Sequence, residues 1–248
     1  MLEFAHVSIM REKRYLLEDI TFTPRPGKIT ALLGKNGCGK STLLSCVNRL
    51  YPYSGRILLS GRDLSELTPR ERAQKIALLP QLLPSTPFTV RRLVELGRTP
   101  HTGMDGRLSL TDRQAVTAAM ESAKVTPLAD RAVSSLSGGE KQRAFLAMLI
   151  AQDTPTLLLD EPATFLDADA ARTLYGLMTE LSHARGKTLL AVMHDLSAAI
   201  RVADDIAVLD KGRLLFHGTV GQCLTERVIQ DTFCVTACRC EDGTVFFH

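Results

Sequence analysis

The feature that most constrains the fold is a glycine-rich loop between an apolar segment and a helical pattern. The loop, Gly34 to Ser41, reads Gly-Lys-Asn-Gly-Cys-Gly-Lys-Ser and fits the pattern G-x-x-x-x-G-K-[ST]. The apolar run Ile29 to Leu33 before it suits a strand that is buried on both faces, as in a parallel sheet. Because Ser41 to Leu50 then reads as a helix, the sequence predicts an α/β fold with this loop at the end of a parallel strand.

The chemistry of this loop favours a bound phosphate group. Its glycines permit positive φ angles, which bring backbone amides together as an anion nest. The helix that follows directs its positive dipole end at the same point. A lysine in this register reaches the β- and γ-phosphates of a nucleotide, and the next hydroxyl binds Mg²⁺. We therefore predict an ATP and Mg²⁺ site that includes Gly34, Lys35, Asn36, Gly37, Cys38, Gly39, Lys40, Ser41 and Thr42.

Two other interpretations of the loop compete with phosphate binding. A dinucleotide-binding turn has the order G-x-G-x-x-G, whereas this loop has G-x-x-G-x-G followed by Lys40 and Ser41. A glycine-rich connection without function would not need lysine and serine in register after a buried strand. The position of these two residues therefore favours the phosphate loop.

The rest of the chain alternates strand and helix patterns around a helical middle section. From about residue 89 to 152 charged residues are spaced in a helical period, and Thr111 is a plausible helix cap. A further helix is expected from Ala168 to Arg185. We expect one domain over residues 1–248: an α/β phosphate-loop ATPase core with a mainly parallel sheet, an N-terminal antiparallel β subdomain and an inserted α-helical subdomain at about 89–152. A short tail is expected from about residue 219.

Composition limits the function classes and the location. The 248 residues are 45% hydrophobic and 23% charged, which is enough for an ordinary soluble core. The formal net charge of +3 is too small to indicate a nucleic-acid or membrane surface. No apolar run approaches the roughly 18 residues of a spanning helix, and the segment from Met1 lacks a signal-peptide pattern. We therefore expect a cytosolic protein.

Cysteine usage agrees with a reducing compartment. Six cysteines occur at positions 38, 46, 223, 234, 238 and 240, and reduced thiols are the default in the cytosol. Cys234, Cys238 and Cys240 lie close together, with His248 as the nearest additional metal ligand. Their spacing differs from the usual C-x₂-C pattern of zinc sites. We expect ordinary thiols in a small packed tail rather than a metal site.

Two carboxylates follow another apolar strand pattern, Leu157 to Leu159. An aspartate in the place of Asp160 holds Mg²⁺ in phosphate-loop ATPases. Glu161 is then free to orient or deprotonate the attacking water. Taken alone, the segment also fits a solvated acidic turn before Pro162.

The segment Leu136-Ser137-Gly138-Gly139-Glu140 starts a helical pattern that continues to Ala151. Ser137 and Glu140 have the spacing of a capping box. The two glycines between them leave the helix N-terminus bare, which makes it a candidate site for an anion such as a γ-phosphate.

Two further side chains follow apolar segments. His194 comes after Thr188 to Met193, and Gln81 comes after Ile76 to Leu79 and a proline. A lone histidine in such a place is more often structural, but opposite a Mg-ATP site it is suited to contact the γ-phosphate. Gln81 taken alone is uninformative.

Taken together and in this order, these segments resemble the ATP-binding-cassette (ABC) family from about Leu2 to Gly218. They match the phosphate loop Gly34 to Ser41, the Q-loop Gln81, the signature Leu136 to Glu140, the magnesium-aspartate strand Leu157 to Glu161, the D-loop Phe165-Leu166-Asp167 and the switch histidine His194. The signature is specific to this family. The resemblance implies an ATPase in which Ser41, Gln81 and Asp160 serve Mg²⁺, and Glu161, His194 and Gln81 are catalytic.

The resemblance also implies partners. Two copies of such a cassette close head to tail on two ATP molecules, each held between the phosphate loop of one copy and the signature of the other. Ser137, Gly138, Gly139 and Glu140 would then serve the nucleotide of the second copy, and Asp167 would lie at the interface. Gln81 would relay to two transmembrane permease subunits, which receive cargo from a substrate-binding protein. The expected location is the cytoplasmic face of the inner membrane, peripheral, with no nucleic-acid partner.

Within the family, several segments are similar to the importer ATPases for ferric siderophores, haem and vitamin B12. These segments are Cys38, Leu78 to Gln81, Phe88 to Val90, Leu93 to Pro100 and Glu161 to Asp167. The ferric-citrate and siderophore branch is the most similar of these. The resemblance therefore implies import of an iron chelate, with haem or vitamin B12 as the alternative cargo.

The sequence departs from the family pattern at three places. Glu140 stands where these importers often have Gln, and Ala163 stands where Thr is usual. Neither change predicts loss of function. The aromatic residue that stacks on adenine is expected near Arg11, and Tyr15 is the nearest aromatic residue. The candidate adenine contact is therefore a shifted Tyr15 or an arginine plane.

Two other functions compete with import. A soluble ABC ATPase that acts on DNA or ribosomes usually carries two cassettes, a long coiled coil or a basic extension, and this sequence shows none of them. A cassette that binds ATP without hydrolysis is disfavoured because Lys40, Asp160, Glu161 and His194 are all present.

Overall fold

The computed structural model describes residues 1–12, 14–48, 51–103, 106–239 and 245–247. Its strands are β1 Leu2–Arg11, β2 Arg14–Phe22, β3 Ile29–Gly34, β4 Ser54–Leu59, β5 Arg62–Asp63, β6 Ile76–Leu79, β7 Thr156–Asp160, β8 Thr188–Val192, β9 Asp205–Asp210, β10 Arg213–Thr219, β11 Ala237–Arg239 and β12 Val245–Phe247. Its α-helices are α1 Lys40–Val47, α2 Pro69–Ala73, α3 Val90–Leu96, α4 Leu110–Ser122, α5 Gly138–Gln152, α6 Ala168–Thr179, α7 Leu196–Val202, α8 Val220–Thr225 and α9 Val228–Phe233. Contacts between residues divide the chain into a first unit, Met1–Glu66 and Leu181–His248, and a second unit, Leu67–Glu180.

The first unit holds an antiparallel sheet and a mainly parallel one. In the antiparallel sheet β1 lies between β2 and β4, and β5 continues from β4 as a hairpin. In the other sheet β3 runs parallel to both β8 and β9, and β10 closes against β9 in the antiparallel sense. Every residue of β3 and β8 is buried, because both faces of these strands are covered. This burial explains their continuous apolar sequence.

The second unit contains the parallel pair β6 and β7 together with α2 to α6. A buried ion pair joins its helices: Arg98 Nε donates to Asp112 Oδ1 at 2.9 Å, and Arg98 Nη1 donates to the Ala151 carbonyl at 2.8 Å. Hydrogen bonds from Ser109, and the Arg98 guanidinium beside it, lower the pKa of Asp112 to about 2. The carboxylate therefore stays charged and bonded at neutral pH.

The structure confirms the predicted fold class. Parallel strands occur in both units, an antiparallel sheet forms from the N-terminal strands, and α3, α4 and α5 occupy the section 89–152 that we expect to be helical. The second unit extends beyond this section at both ends. The description of the whole chain as one domain stays a prediction.

The predicted cap of α4 is wrong. Ser109, not Thr111, is the capping residue: its hydroxyl accepts from the Asp112 backbone N–H at 3.1 Å, and its own N–H donates to Asp112 Oδ2 at 2.9 Å. Thr111 lies inside the first turn. Ser109 and Asp112 have the spacing of a capping box with an acid in third position, so the local sequence contained the signal.

The predicted end of α6 at Arg185 also differs from the structure. The α-helix ends at Thr179, and residues Glu180–Ala184 form a π-helical turn. Within this turn the buried Ser182 hydroxyl donates to the Gly27 carbonyl at 2.9 Å. This bond between distant parts of the chain accompanies the change from α to π geometry, which local helical propensity does not predict. The helix α1 ends at Val47, whereas the predicted end, Leu50, lies outside the described residues.

Two predictions from the sequence concern membrane-spanning helices and metal-binding cysteines. Within the described ranges no helix is both long and apolar enough to cross a bilayer. Among the cysteines that the structure describes there, Cys38, Cys46, Cys223 and Cys234 are free thiols. The same ranges contain no group of three His, Cys, Asp or Glu side chains that could hold a metal ion. Cys240 and His248 of the candidate tail cluster lie outside them.

His217 on β10 is a buried titratable group in the first unit. Its ring packs edge-on against Phe22, with ring centroids 5.2 Å apart. Its Nε2 atom is buried and has no hydrogen-bond partner within the described part of the chain. Burial lowers the pKa of His217, Asp205 acts to raise it, and Arg25 acts to lower it further. The folded protein therefore favours the neutral ring.

We expect this histidine to make stability depend on pH. Because its pKa is lower in the folded state than the ordinary value of about 6.5, the unfolded chain binds the proton more readily. The contribution of His217 to the free energy of unfolding is then fully present above about pH 6.5 and is lost as the pH decreases below this value. In urea titrations, His217→Phe should weaken this dependence. Leu189→Val, a change at a buried apolar residue of β8, should lower stability but keep the same pH dependence. An unchanged dependence in His217→Phe would contradict the assignment.

Candidate functional site

The loop Gly34 to Ser41 connects β3 to α1, as the sequence predicts. Gly39 caps the helix with φ 106°, a left-handed conformation that side chains disfavour. A Cβ atom on Gly39 would lie 2.5 Å from Leu17 Cδ2 and 3.0 Å from the Leu16 carbonyl oxygen. Glycine is therefore required here both by the backbone angle and by the close approach of β2.

Lys40 folds back over the loop that precedes it. Its Nζ donates to the carbonyl oxygens of Gly34 at 2.8 Å and Lys35 at 3.1 Å, and the side chain is only 5% exposed. The helix N-terminus beside it has no side-chain cap, because the capping residue is Gly39. A helix N-terminus without a side-chain cap and a held ammonium group next to it are elements of an anion site.

The other loop residues differ in their exposure. Lys35 and Asn36 are exposed, whereas Ser41 and Thr42 are half-buried on the first turn of α1. Cys38 is buried, and burial raises the pKa of its thiol while the charge of Lys40 opposes this effect. The thiol is thus neutral at ordinary pH. Its sulfur atom lies against Gly34 at the start of the loop and does not act as an anion.

Tyr15 lies on β2 next to the phosphate loop. Its neighbour Leu16 is the residue whose carbonyl approaches Gly39. The Tyr15 side chain is 54% exposed, and it pairs across the hairpin with Met10, which is also exposed. Arg11, the alternative adenine contact, lies on β1 opposite Arg14. Tyr15 is thus the direct neighbour of a residue that approaches the loop, whereas Arg11 lies on the other strand of the hairpin.

His194 lies at the same sheet edge as the loop. It follows β8, which runs parallel to β3 with Leu32 opposite Val192. Because parallel strands end at one edge of a sheet, the exposed His194 and the loop after Gly34 share that edge. Asp195 caps α7, its Oδ1 accepting from the Ala198 N–H at 2.9 Å. The first unit thus brings together the loop and His194.

The second unit brings Gln81 and Glu161 together. β6 and β7 are parallel, and these two residues follow their ends. Gln81 Nε2 donates to Glu161 Oε2 at 2.6 Å. Thr164 Oγ1 donates to the same oxygen at 3.1 Å. Asp160 is the last residue of β7 and is 7% exposed. Sequence reasoning missed Thr164, whose signal was a hydroxyl residue three positions after the carboxylate.

The signature segment forms the capping box that the sequence predicts. The Ser137 N–H donates to Glu140 Oε2 at 2.8 Å, and the Glu140 N–H donates to Ser137 Oγ at 3.3 Å. The hydrogen bonds from Ser137 lower the pKa of Glu140, with Arg131 and Arg143 adding to the effect. Glu140 in place of the usual Gln therefore serves as a charged cap, and the start of α5 stays formed.

The D-loop packs beside the signature glycines. A Cβ atom on Gly139 would lie 3.3 Å from Leu166 Cδ2, and one on Gly138 would lie 3.7 Å from Phe165 Cβ. Asp167 caps α6, its Oδ1 accepting from the Ala170 N–H at 2.8 Å. The structure thus gives Asp167 a local role within one chain, and its place at a dimer interface stays a prediction.

The chain is similar to known proteins over most of its length. Residues 17–164 match the family model described as ABC transporter. The chain is 41% identical over 221 residues to the ferric enterobactin transport ATP-binding protein FepC of Escherichia coli (strain K12), covering 88% of this chain and 81% of that protein. It is 37% identical over 227 residues to the iron(3+)-hydroxamate import ATP-binding protein FhuC of Bacillus subtilis (strain 168), covering 90% and 84%. Its fold matches an ATP-binding cassette solved as a dimer in a post-hydrolysis state bound to ADP and Pi, with TM-score 0.79, 25% identity and coverage of 89% and 99%.

Proposed function

Since this chain belongs to the ABC transporter family and is an ATPase of that family, we propose that it drives an importer for a ferric siderophore or a related iron chelate. The observation that carries this proposal is its similarity, over most of both chains, to two ATP-binding proteins whose names specify transport of two different iron chelates. The whole chain is one ATP-binding cassette domain.

The geometry of the first unit supports the following proposed contacts to the nucleotide. The amides of the loop from Gly34 to Gly39 and the ammonium group of Lys40 bind the β- and γ-phosphates. Ser41 and Thr42 follow on the first turn of α1, and His194 contacts the γ-phosphate from the same sheet edge. Tyr15 stacks on the adenine ring.

The second unit supplies the groups for hydrolysis. Glu161 accepts a proton from the attacking water, and Gln81 and Thr164 hold its carboxylate by the hydrogen bonds described above. Because the Gln81 nitrogen donates to Glu161, its amide oxygen remains as an acceptor for water or a cation. The hydroxyl and carboxyl oxygens of Ser41 and Asp160, with the Gln81 amide oxygen, are hard donors that fit Mg²⁺. When bound, this ion neutralises phosphate charge.

A second copy of the chain is the first partner. The capped helix N-terminus formed by Ser137, Gly138, Gly139 and Glu140 of one copy binds the nucleotide of the other, and Asp167 lies at the interface. The dimeric state of the related cassette bound to ADP and Pi supports this arrangement. Two transmembrane permease subunits bind the dimer at the cytoplasmic face of the membrane, where Gln81 relays between them and the nucleotide. A substrate-binding protein delivers the chelate.

Reconstitution tests this function directly. The protein is placed in vesicles with its co-purifying permease, and ATP hydrolysis is measured with binding protein loaded with ferric siderophore, ferric citrate, haem or cobalamin. We expect stimulation by a ferric chelate. Stimulation by haem or cobalamin alone would assign the other cargo class. Failure to bind any permease, together with a strongly salt-dependent affinity for nucleic acid, would instead support a soluble non-transport ATPase.

Replacement of Tyr15 tests the adenine contact. We expect Tyr15→Ala to weaken ATP binding about tenfold, because aromatic stacking on a base contributes about 1–3 kcal/mol and this ring is half exposed. Tyr15→Phe should bind normally, and neither change should affect inorganic tripolyphosphate, which has no base. Calorimetric titration of both ligands provides the measurement. If Arg11→Ala weakens ATP binding and Tyr15→Ala does not, the arginine plane is the adenine contact.

A further inference from the structure

Gln142 is a buried polar side chain to which the proposed function gives no role. It lies on α5 two residues after Glu140, the last residue of the capping box, and is 4% exposed. Its Nε2 donates to the Pro162 carbonyl oxygen at 2.9 Å, and this bond is buried. Because Pro162 directly follows Glu161, the bond ties the signature helix to the backbone next to the proposed catalytic carboxylate.

The backbone at this point needs support from outside. Glu161 has φ 50°, in the left-handed region that non-glycine residues disfavour. Such a conformation persists only where surrounding contacts determine it. Pro162 has no N–H group, so its carbonyl oxygen is the only backbone group through which a neighbour can hold it by a hydrogen bond. Gln142 occupies that oxygen, and the Thr164 N–H closes the turn on the Glu161 carbonyl at 3.3 Å.

The two kinds of contact around Glu161 are distinct. Gln81 and Thr164 bind the carboxylate itself. Gln142 donates to the peptide that follows Glu161, so it acts on the Glu161 side chain through the backbone. The same helix thus carries the signature at its N-terminus and, one turn later, the support for the catalytic turn.

We propose that Gln142 is a positioning residue for ATP hydrolysis: it holds the turn at Pro162 in place and thereby aims the Glu161 carboxylate at the attacking water. This role rests on the proposed role of Glu161 as the catalytic base. It also links the signature helix to the base within one chain. A displacement of α5 at its second turn is transmitted to Pro162 through a single buried hydrogen bond.

Gln142→Met tests the positioning role. Methionine keeps the length of the side chain but removes the N–H donor. We expect kcat to fall about 10- to 100-fold, because small misplacements of a catalytic group have effects of this size. The Kd for ATP should change less than about twofold, because Gln142 contacts no part of the proposed nucleotide site. Leu149→Val or Leu149→Ala on the same helix, whichever matches the fall in melting temperature, should keep normal kcat.

A second background separates positioning from a general structural effect. In single-turnover assays on Glu161→Gln, adding Gln142→Met should cause no further loss, because the group that it positions is already gone. An additional loss as large as that in the wild-type background would overturn the proposal. So would a normal kcat in Gln142→Met beside a large loss in Glu161→Gln, and this result would leave the proposed function intact. A normal kcat in Glu161→Gln would overturn both the role of the base and the proposal.

Discussion

Replacing Glu161 with Gln should lower ATP hydrolysis by about 10²- to 10⁴-fold, the usual contribution of a general base, while ATP stays bound. The amide keeps the shape of the carboxylate but does not accept the proton of water. Because hydrolysis is what reopens the proposed dimer, the variant should accumulate as a closed dimer with ATP retained. Phosphate release measures the first effect, and gel filtration with quantification of bound nucleotide measures the second.

A matched control for this variant is available on α4. Glu121 is exposed and belongs to no proposed site, so Glu121→Gln makes the same chemical change without altering hydrolysis or dimerisation. Equal rates for wild type and Glu161→Gln would remove Glu161 from its role. Slow hydrolysis without retained ATP would instead show that the substitution weakens nucleotide binding.

Replacing Lys40 with Ala should weaken ATP binding itself by about hundredfold, since a hydrogen bond to a charged group contributes about 1.5–3 kcal/mol. The ammonium group lies in the curve of the loop, held by the carbonyls of Gly34 and Lys35. Without it, the phosphates lose their positive partner and the two carbonyls lose their donor. Titration with a fluorescent ATP analogue measures the Kd of both proteins.

Two further substitutions control for charge and for surface effects. Lys40→Arg keeps the charge, but its larger planar group does not reproduce a compact ammonium, so binding should stay weak. Lys124→Asn removes an exposed lysine at φ 55°, a conformation that Asn tolerates, and should bind ATP normally. If Lys40→Ala bound ATP normally while the protein remained folded, the assignment of the loop as the phosphate site would fail.

The two substitutions separate the functions of the two units. We expect Lys40→Ala, in the first unit, to weaken ATP binding, and Glu161→Gln, in the second unit, to slow turnover after binding. If the wild-type protein bound ATP without hydrolysing it, it would behave like Glu161→Gln in these assays. Comparison of wild type with both variants therefore also tests the binding-only alternative.

Several features were predictable from sequence because neighbours along the chain create them. The loop at Gly34 to Ser41 needs only its own glycines and the flanking strand and helix. The capping box of Ser137 and Glu140 spans one helical turn. The signal for the cap of α4 at Ser109 was also local, but the predicted cap, Thr111, was wrong.

Other features depend on which distant segments meet. The hydrogen bonds of two glutamines are visible only in the structure. Gln81 donates to the Glu161 carboxylate, and Gln142 donates to the Pro162 carbonyl oxygen. Likewise, the π-helical turn after α6 accompanies the bond from Ser182 to Gly27. None of these pairs has a spacing that a local pattern can reveal, because a hydrogen bond between segments is specified only when packing of the strands and helices sets their distance.

The amino-acid sequence by itself determined the family, the phosphate loop and the identity of the carboxylates, since each is written in a short contiguous motif. Only the tertiary structure decided how those motifs are held. It placed β2 against Gly39, and it set Glu161 in a left-handed turn supported by side chains from two other segments. The physical reason is that local backbone preference acts between neighbours, whereas the orientation of a catalytic group is settled by packing and hydrogen bonds between residues far apart in the chain.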